Sequence, residues 1–147
     1  QHPEVAAAVM LSRGYSQVLE GEVDEAIRAY QEAQTINPQL EISARFWNVL
    51  CWQGCLHDRA ADVLFAGDKA VELEPDDRDY KDTRGLARAL TGDIAGAVGD
   101  FQAALDTGVF DEDDVEKQQR QRWLEALQAG ENPFTPEELA QLRSDEL

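Results

Sequence analysis

An all-α chain of repeated helical hairpins is the fold class that three observations predict. The stretch from Arg84 to Leu105 reads as two amphipathic helices joined by Thr91-Gly92-Asp93. Small residues stand where two helices must touch: Gly85 and Ala89 on the first, Gly96, Ala97 and Ala104 on the second, with Phe101 as the large residue that fills the gap. The same pattern lies 71 residues earlier, where Gly14, Gly21, Ala26, Tyr30 and Ala33 hold the places of Gly85, Gly92, Ala97, Phe101 and Ala104. Finally, Asn37-Pro38 and Glu74-Pro75 close two segments 37 residues apart, so a less regular middle copy fits between and the unit is a helix–turn–helix of about 34 residues.

Taken in order, the spacing predicts a first helix at about 3–20, carried by Val5, Val9, Leu11, Val18 and Leu19, with Ala6, Ala7 and Ala8 raising helix propensity. A second runs over about 23–36, where Ile27, Tyr30 and Ala33 recur at helical spacing and Asn37-Pro38 ends it. The third, about 40–53, carries Ile42, Phe46, Trp47, Leu50 and Trp52, with Gly54 as its expected stop. The fourth, about 58–73, uses Ala61, Val63, Leu64, Ala70, Val71 and Leu73 before Pro75. Asp76 or Asp77 can cap the fifth at about 77–90, and the sixth is placed at about 93–106. After Gly108 the repeat stops. The acidic run Asp111-Glu112-Asp113-Asp114 opens a seventh helix at about 112–129, where negative charge suits the helix dipole, and it lacks the glycine and distal glutamate of a calcium loop. Val115, Trp123, Leu124 and Leu127 form its apolar stripe, expected to cover the open side of the third repeat. A last helix is announced by Thr135 as N-cap, Pro136 at the first position, Glu138 completing a capping box, and Phe134 and Leu139 at staple spacing, with Leu142 continuing the stripe.

These residues resemble the tetratricopeptide repeat (TPR) family over roughly residues 5–109. The first copy supplies Gly14, Gly21, Ala26, Tyr30, Ala33 and Pro38. The middle one has Trp47, Leu50, Cys51, Ala70 and Pro75, with Val63 and Gly67 in place of the alanine and the aromatic; the third lacks the closing proline. The resemblance implies a right-handed α-solenoid of three pairs, at about 5–38, 40–75 and 77–109, followed by capping helices in 110–147. A weaker likeness, covering about 25 residues around Trp123 to Phe134, is to segments that follow such repeats in large bacterial multidomain proteins.

Composition narrows the function. The 147 residues carry 30 acids and 13 bases, a net charge of -17, and the last 37 residues alone contribute -7. Such a field repels phosphate backbones, disfavours nucleic-acid binding, and speeds encounter with basic partners in a salt-sensitive way. No apolar run approaches the ~18 residues of a membrane span, and a cytoplasmic location is the expectation. Cys51 and Cys55 sit four apart on one helix, a poor geometry for a mutual disulfide, and together with His57 they lack the spacing of a zinc site. Gly92, Gly96 and Gly99 form no phosphate loop and read instead as close-packing positions. No nucleophile elbow or triad order is recognisable, so no catalytic residue, no metal ligand and no cofactor is expected, and the chain does not read as an enzyme. It opens Gln1-His2-Pro3 without a methionine, which suggests processing or excision from a longer protein and leaves an upstream targeting signal open.

By the resemblance, the first helix of each pair lines a concave groove. That face presents Leu11, Tyr15 and Val18; then Arg45, Asn48, Trp52 and Cys55; then Asp79, Asp82, Leu86 and Ala89. One TPR subclass clamps the carboxylate of chaperone tails with lysines, asparagines and an arginine. The corresponding positions here hold Leu11, Tyr15, Val49, Asp79 and Thr83, so that ligand is disfavoured. The groove is read as a site for a protein or peptide with an apolar anchor near Tyr15 and Trp52 and basic residues near Asp79 and Asp82, with Arg45, Asn48 and Leu86 completing it. The alternatives are self-association through an exposed repeat edge as a homo-oligomer, or a regulatory domain fused to a larger enzyme such as a protease-like effector.

Overall fold

The computed structural model describes residues 2–107 and 114–145. Among these there are eight helices and no strand: α1 Pro3–Leu19, α2 Val23–Ile36, α3 Ala44–Leu56, α4 Ala60–Leu73, α5 Arg78–Leu90, α6 Ile94–Thr107, α7 Val115–Gln128 and α8 Pro136–Asp145. Within the first six helices each odd helix packs antiparallel-fashion on the next, as α1 on α2, α3 on α4 and α5 on α6. Helices α1, α3 and α5 also touch in succession, whereas among the described residues α2, α4 and α6 do not touch one another. The layer therefore curves, with α1, α3 and α5 on its inner side. No helix among the described residues is long and apolar enough to cross a membrane.

The pairs are held together by a hole on one helix and a large side chain on the other. A Cβ on Gly14 would stand 2.7 Å from a Tyr30 ring carbon, and one on Gly85 would stand 3.1 Å from Phe101. Tyr30 and Phe101 are fully buried there. In the middle pair the sizes are exchanged: Cys51 takes the place of the glycine, Gly67 that of the aromatic, and a Cβ on Gly67 would meet the Cys51 sulfur at 2.9 Å. Each pair turns through one residue in the left-handed region, Gly21 at φ 81°, Asp58 at φ 62° and Gly92 at φ 92°. The α5–α6 crossing carries an ion cluster as well. Arg84 donates to both oxygens of buried Asp100, at 2.9 and 2.7 Å, and Arg88 adds a bond of 3.1 Å.

Several boundaries and roles differ from the sequence reading. Gly54 does not end α3 but lies inside it, because the Val63 methyls occupy the space its Cβ would need, 2.5 Å away. Residues 40–43 precede α3, although Ile42 is buried. Gly96 and Gly99 are not close-packing sites. Gly96 instead donates its backbone N–H to the Asp93 carboxylate, and Gly99 faces open space. Val5, Val9, Leu19 and Val115 are exposed rather than packed, since nothing among the described residues covers those faces. Cys51 and Cys55 are free and buried, hydrogen-bonded to each other, while His57 donates to the Gln53 carbonyl.

The C-terminal helices are fastened by aromatic contacts. Trp123 packs 5.7 Å from Phe101 and 4.9 Å from Phe134, ring centre to ring centre. Asp77, Asp114 and Thr135 cap α5, α7 and α8. Of the acidic run at 111–114, only Asp114 lies within the described residues. Glu138 does not turn its carboxylate back into the cap; it accepts the Trp123 indole N–H at 3.1 Å. Helix α8 then returns to α3, where Arg143 donates to the Leu56 carbonyl.

Substitutions at glycines test the packing. Gly54→Ala is expected to destabilise the fold by about 1–3 kcal/mol through overpacking against Val63. Gly99→Ala, with room around it, is expected to stabilise by about 0.5–1 kcal/mol. Urea unfolding midpoints of the two variants should move in opposite directions; shifts of the same sign would contradict the account.

Candidate functional site

Helical spacing brings the inner-face side chains into register. Asn48, Val49, Trp52 and Gln53 form one stripe of α3, and Arg78, Asp79, Asp82 and Thr83 form the matching stripe of α5. Glu116 and Arg120 are one turn apart on α7, which runs beside α6 and adds a further wall. With Leu19 at the end of α1, these residues bound a cleft of about 430 Å³.

The lining combines apolar side chains, Leu19, Val49 and Trp52, with acidic ones. Asp79, Asp82 and Glu116 each offer a carboxylate oxygen, and these oxygens all lie within 4.8 Å of one another. Arg120 stands among them. Its Nε donates to Asp82 Oδ2 at 3.1 Å, its Nη2 is 3.6 Å from Glu116, and its guanidinium lies 4.5 Å from the centre of the Trp123 ring. Arg78 pairs with Asp79 at 3.5 Å. Asp82 is only 4% exposed. Its Oδ1 and the Asn48 Oδ1 are buried without a hydrogen-bond partner among the described residues.

Burial raises the Asp82 pKa to about 6. Arg120 opposes that shift by attraction and by its hydrogen bond, while Glu116 and Asp79 add to it. Desolvation thus outweighs the ion pair.

The structure brings together four of the residues expected in the groove: Asn48, Trp52, Asp79 and Asp82. Tyr15 does not join them; its ring lies against Phe46 at 4.8 Å. Arg45 is exposed outside the cleft's lining, and its charge is felt at the Tyr80 hydroxyl. Val18, Leu86 and Cys55 are in the core, with no surface to offer a partner. Glu116 and Arg120 lie outside the sequence expectation, which gives α7 the role of a cover for the third repeat and not of a wall of the groove. Their spacing of four residues on a helix that also carries Trp123 was the available signal.

Asp82 gives the chain a specific pH response. Its folded pKa lies above the unfolded value, so the folded state binds a proton more tightly. Its contribution to stability therefore falls as pH rises from about 4 through about 6, by about 3 kcal/mol at most. Urea unfolding of wild type and Asp82→Asn in EDTA, at pH 4.5 and 7.5, should show wild type losing more stability across that interval than the variant. Parallel losses would show that Asp82 is not the responsible group.

No family model matches the sequence, and no curated protein matches it. Among solved structures, the chain is similar to the first TPR domain of the human RPAP3 protein, determined by NMR, with a TM-score of 0.63 and 19% identity, over 88% of this chain and 96% of that one. At that identity the likeness concerns the fold, and it agrees with the eight-helix arrangement: the chain has the TPR fold, an α-solenoid of paired helices.

Proposed function

We propose that the chain is a non-catalytic protein-interaction module that binds a peptide or partner helix along its inner face. Three helix pairs in about 1–109 form the scaffold, and 110–147 supplies its cap and the wall carrying Glu116 and Arg120. The observation that carries this reading is the mixed lining of the cleft, which holds Leu19, Val49 and Trp52 together with Asp79 and Glu116. An apolar side chain on the partner would lie against Trp52, and a lysine or arginine one helical turn away would meet the carboxylates. Asp82 acts mainly by holding Arg120 in place, since it is itself buried. The net charge of -17 supports association with basic segments by steering.

A second reading has one observation behind it. Val5 and Val9 are 61% and 57% exposed and adjacent on α1, a face through which copies of the chain could stack.

A peptide array in which an apolar residue precedes lysine by three or four positions would test the groove. Trp52→Ala and Asp79→Lys, both at surface-accessible positions of the cleft, are each expected to weaken the best binders by about tenfold or more. Binding indifferent to both changes would move the site elsewhere. Light scattering over a range of concentrations checks the second reading: a constant monomer mass would end it.

A further inference from the structure

We infer that Asp79, Asp82 and Glu116 form a binding site for a hard divalent cation of calcium's size where α5 meets α7. Three facts lead there. First, the distances fit. Oxygens bound to one calcium ion at about 2.3–2.6 Å can stand up to about 5 Å apart, while around magnesium at about 2.1 Å the limit is near 4 Å. The three carboxylates offer oxygens within 4.8 Å of one another, a spread inside the calcium limit.

Second, the site holds buried oxygens with nothing bound to them. Asp82 is 4% exposed, and Arg120 engages only its Oδ2. Its Oδ1 has no partner among the described residues, and neither does the amide oxygen of Asn48 in the same cleft. An unpaired buried carboxylate oxygen is costly, and a cation satisfies it.

Third, the charges do not balance. Among the described residues, three carboxylates pair with two guanidinium groups, Arg120 and Arg78, a local sum of -1. The Asp79 and Glu116 side chains are 65% and 45% exposed, which leaves room for the water ligands that calcium accepts. Among the described residues that line the cleft there is no cysteine or histidine, which disfavours softer metals. The bound ion would tie α5 to α7 and stabilise that wall of the cleft. This goes beyond the partner reading and needs no partner to be tested.

The test is calcium chloride titrated into the full chain after treatment with chelator, followed by calorimetry and by the fluorescence of Trp52 and Trp123. One ion per chain is expected, with a dissociation constant of about 10⁻⁵–10⁻³ M and magnesium binding at least about tenfold more weakly. Asp79→Asn and Glu116→Gln should each weaken calcium by about tenfold or more, while each variant keeps a cooperative ion-free melting transition. Glu137→Gln, on α8, should leave the affinity unchanged. The proposal is overturned by the absence of saturable binding up to about 10 mM, by binding that survives both cleft substitutions, or by equal weakening in the Glu137 variant, which would mark mere charge screening.

Discussion

The structure depends on matched sizes where the two helices of each pair cross. A glycine in a helix costs roughly 0.5–1 kcal/mol in backbone entropy, whereas full burial of an aromatic side chain contributes about 1.5–3 kcal/mol. The exchange is favourable only if the glycine lies directly under the ring, as Gly14 does under Tyr30 and Gly85 under Phe101. The middle pair reaches the same closeness by the reverse route. Cys51 is accommodated by Gly67, and Val63, bulkier than the alanines at 26 and 97, is accommodated by Gly54. Total volume at the crossing is kept while the helix that supplies it changes, which is the kind of substitution a packed core tolerates.

Close crossing within each pair and contact between successive odd helices give the curvature, and curvature makes the site. Because α1, α3 and α5 touch on the inner side, Trp52 and Asp82 come to face the same hollow although thirty residues separate them in the chain. The ring cluster of Phe101, Trp123 and Phe134 extends this by one more helix. It sets α7 so that Arg120 lies over Trp123 on one side and bonds Asp82 on the other. A packing contact at the third repeat thereby positions a charge in the cleft.

Much of the fold was legible because its signals are local. Periodicity, the glycine-marked turns, the closing prolines and the Thr135-Pro136 cap each act within a few residues. The errors came from pairwise facts. Gly54 looks like a stop until Val63 is seen to need its space, and Gly99 looks like a contact until its surroundings prove empty. The site was half legible for the same reason. Asn48, Trp52, Asp79 and Asp82 follow from helical spacing within single repeats. Tyr15, Val18 and Leu86 share that spacing, yet Phe46 and the core claim them. Glu116 and Arg120 come from a helix outside the repeat, whose direction no repeat pattern encodes.

The acidity of the cleft differs in kind from the acidity of the chain. A surface with a net charge of -17 is hydrated, and individual exposed carboxylates such as Glu137 interact weakly with distant charges in water. Asp82 has lost most of that hydration. One arginine does not restore it, since desolvation remains the leading influence on its pKa in spite of Arg120. A buried carboxylate left partly unsatisfied attracts a cation, and Asp79 and Glu116 line the same cleft. What distinguishes this place from the rest of an acidic surface is therefore the burial of one oxygen, which follows from how α7 is packed and not from how many acids the chain contains.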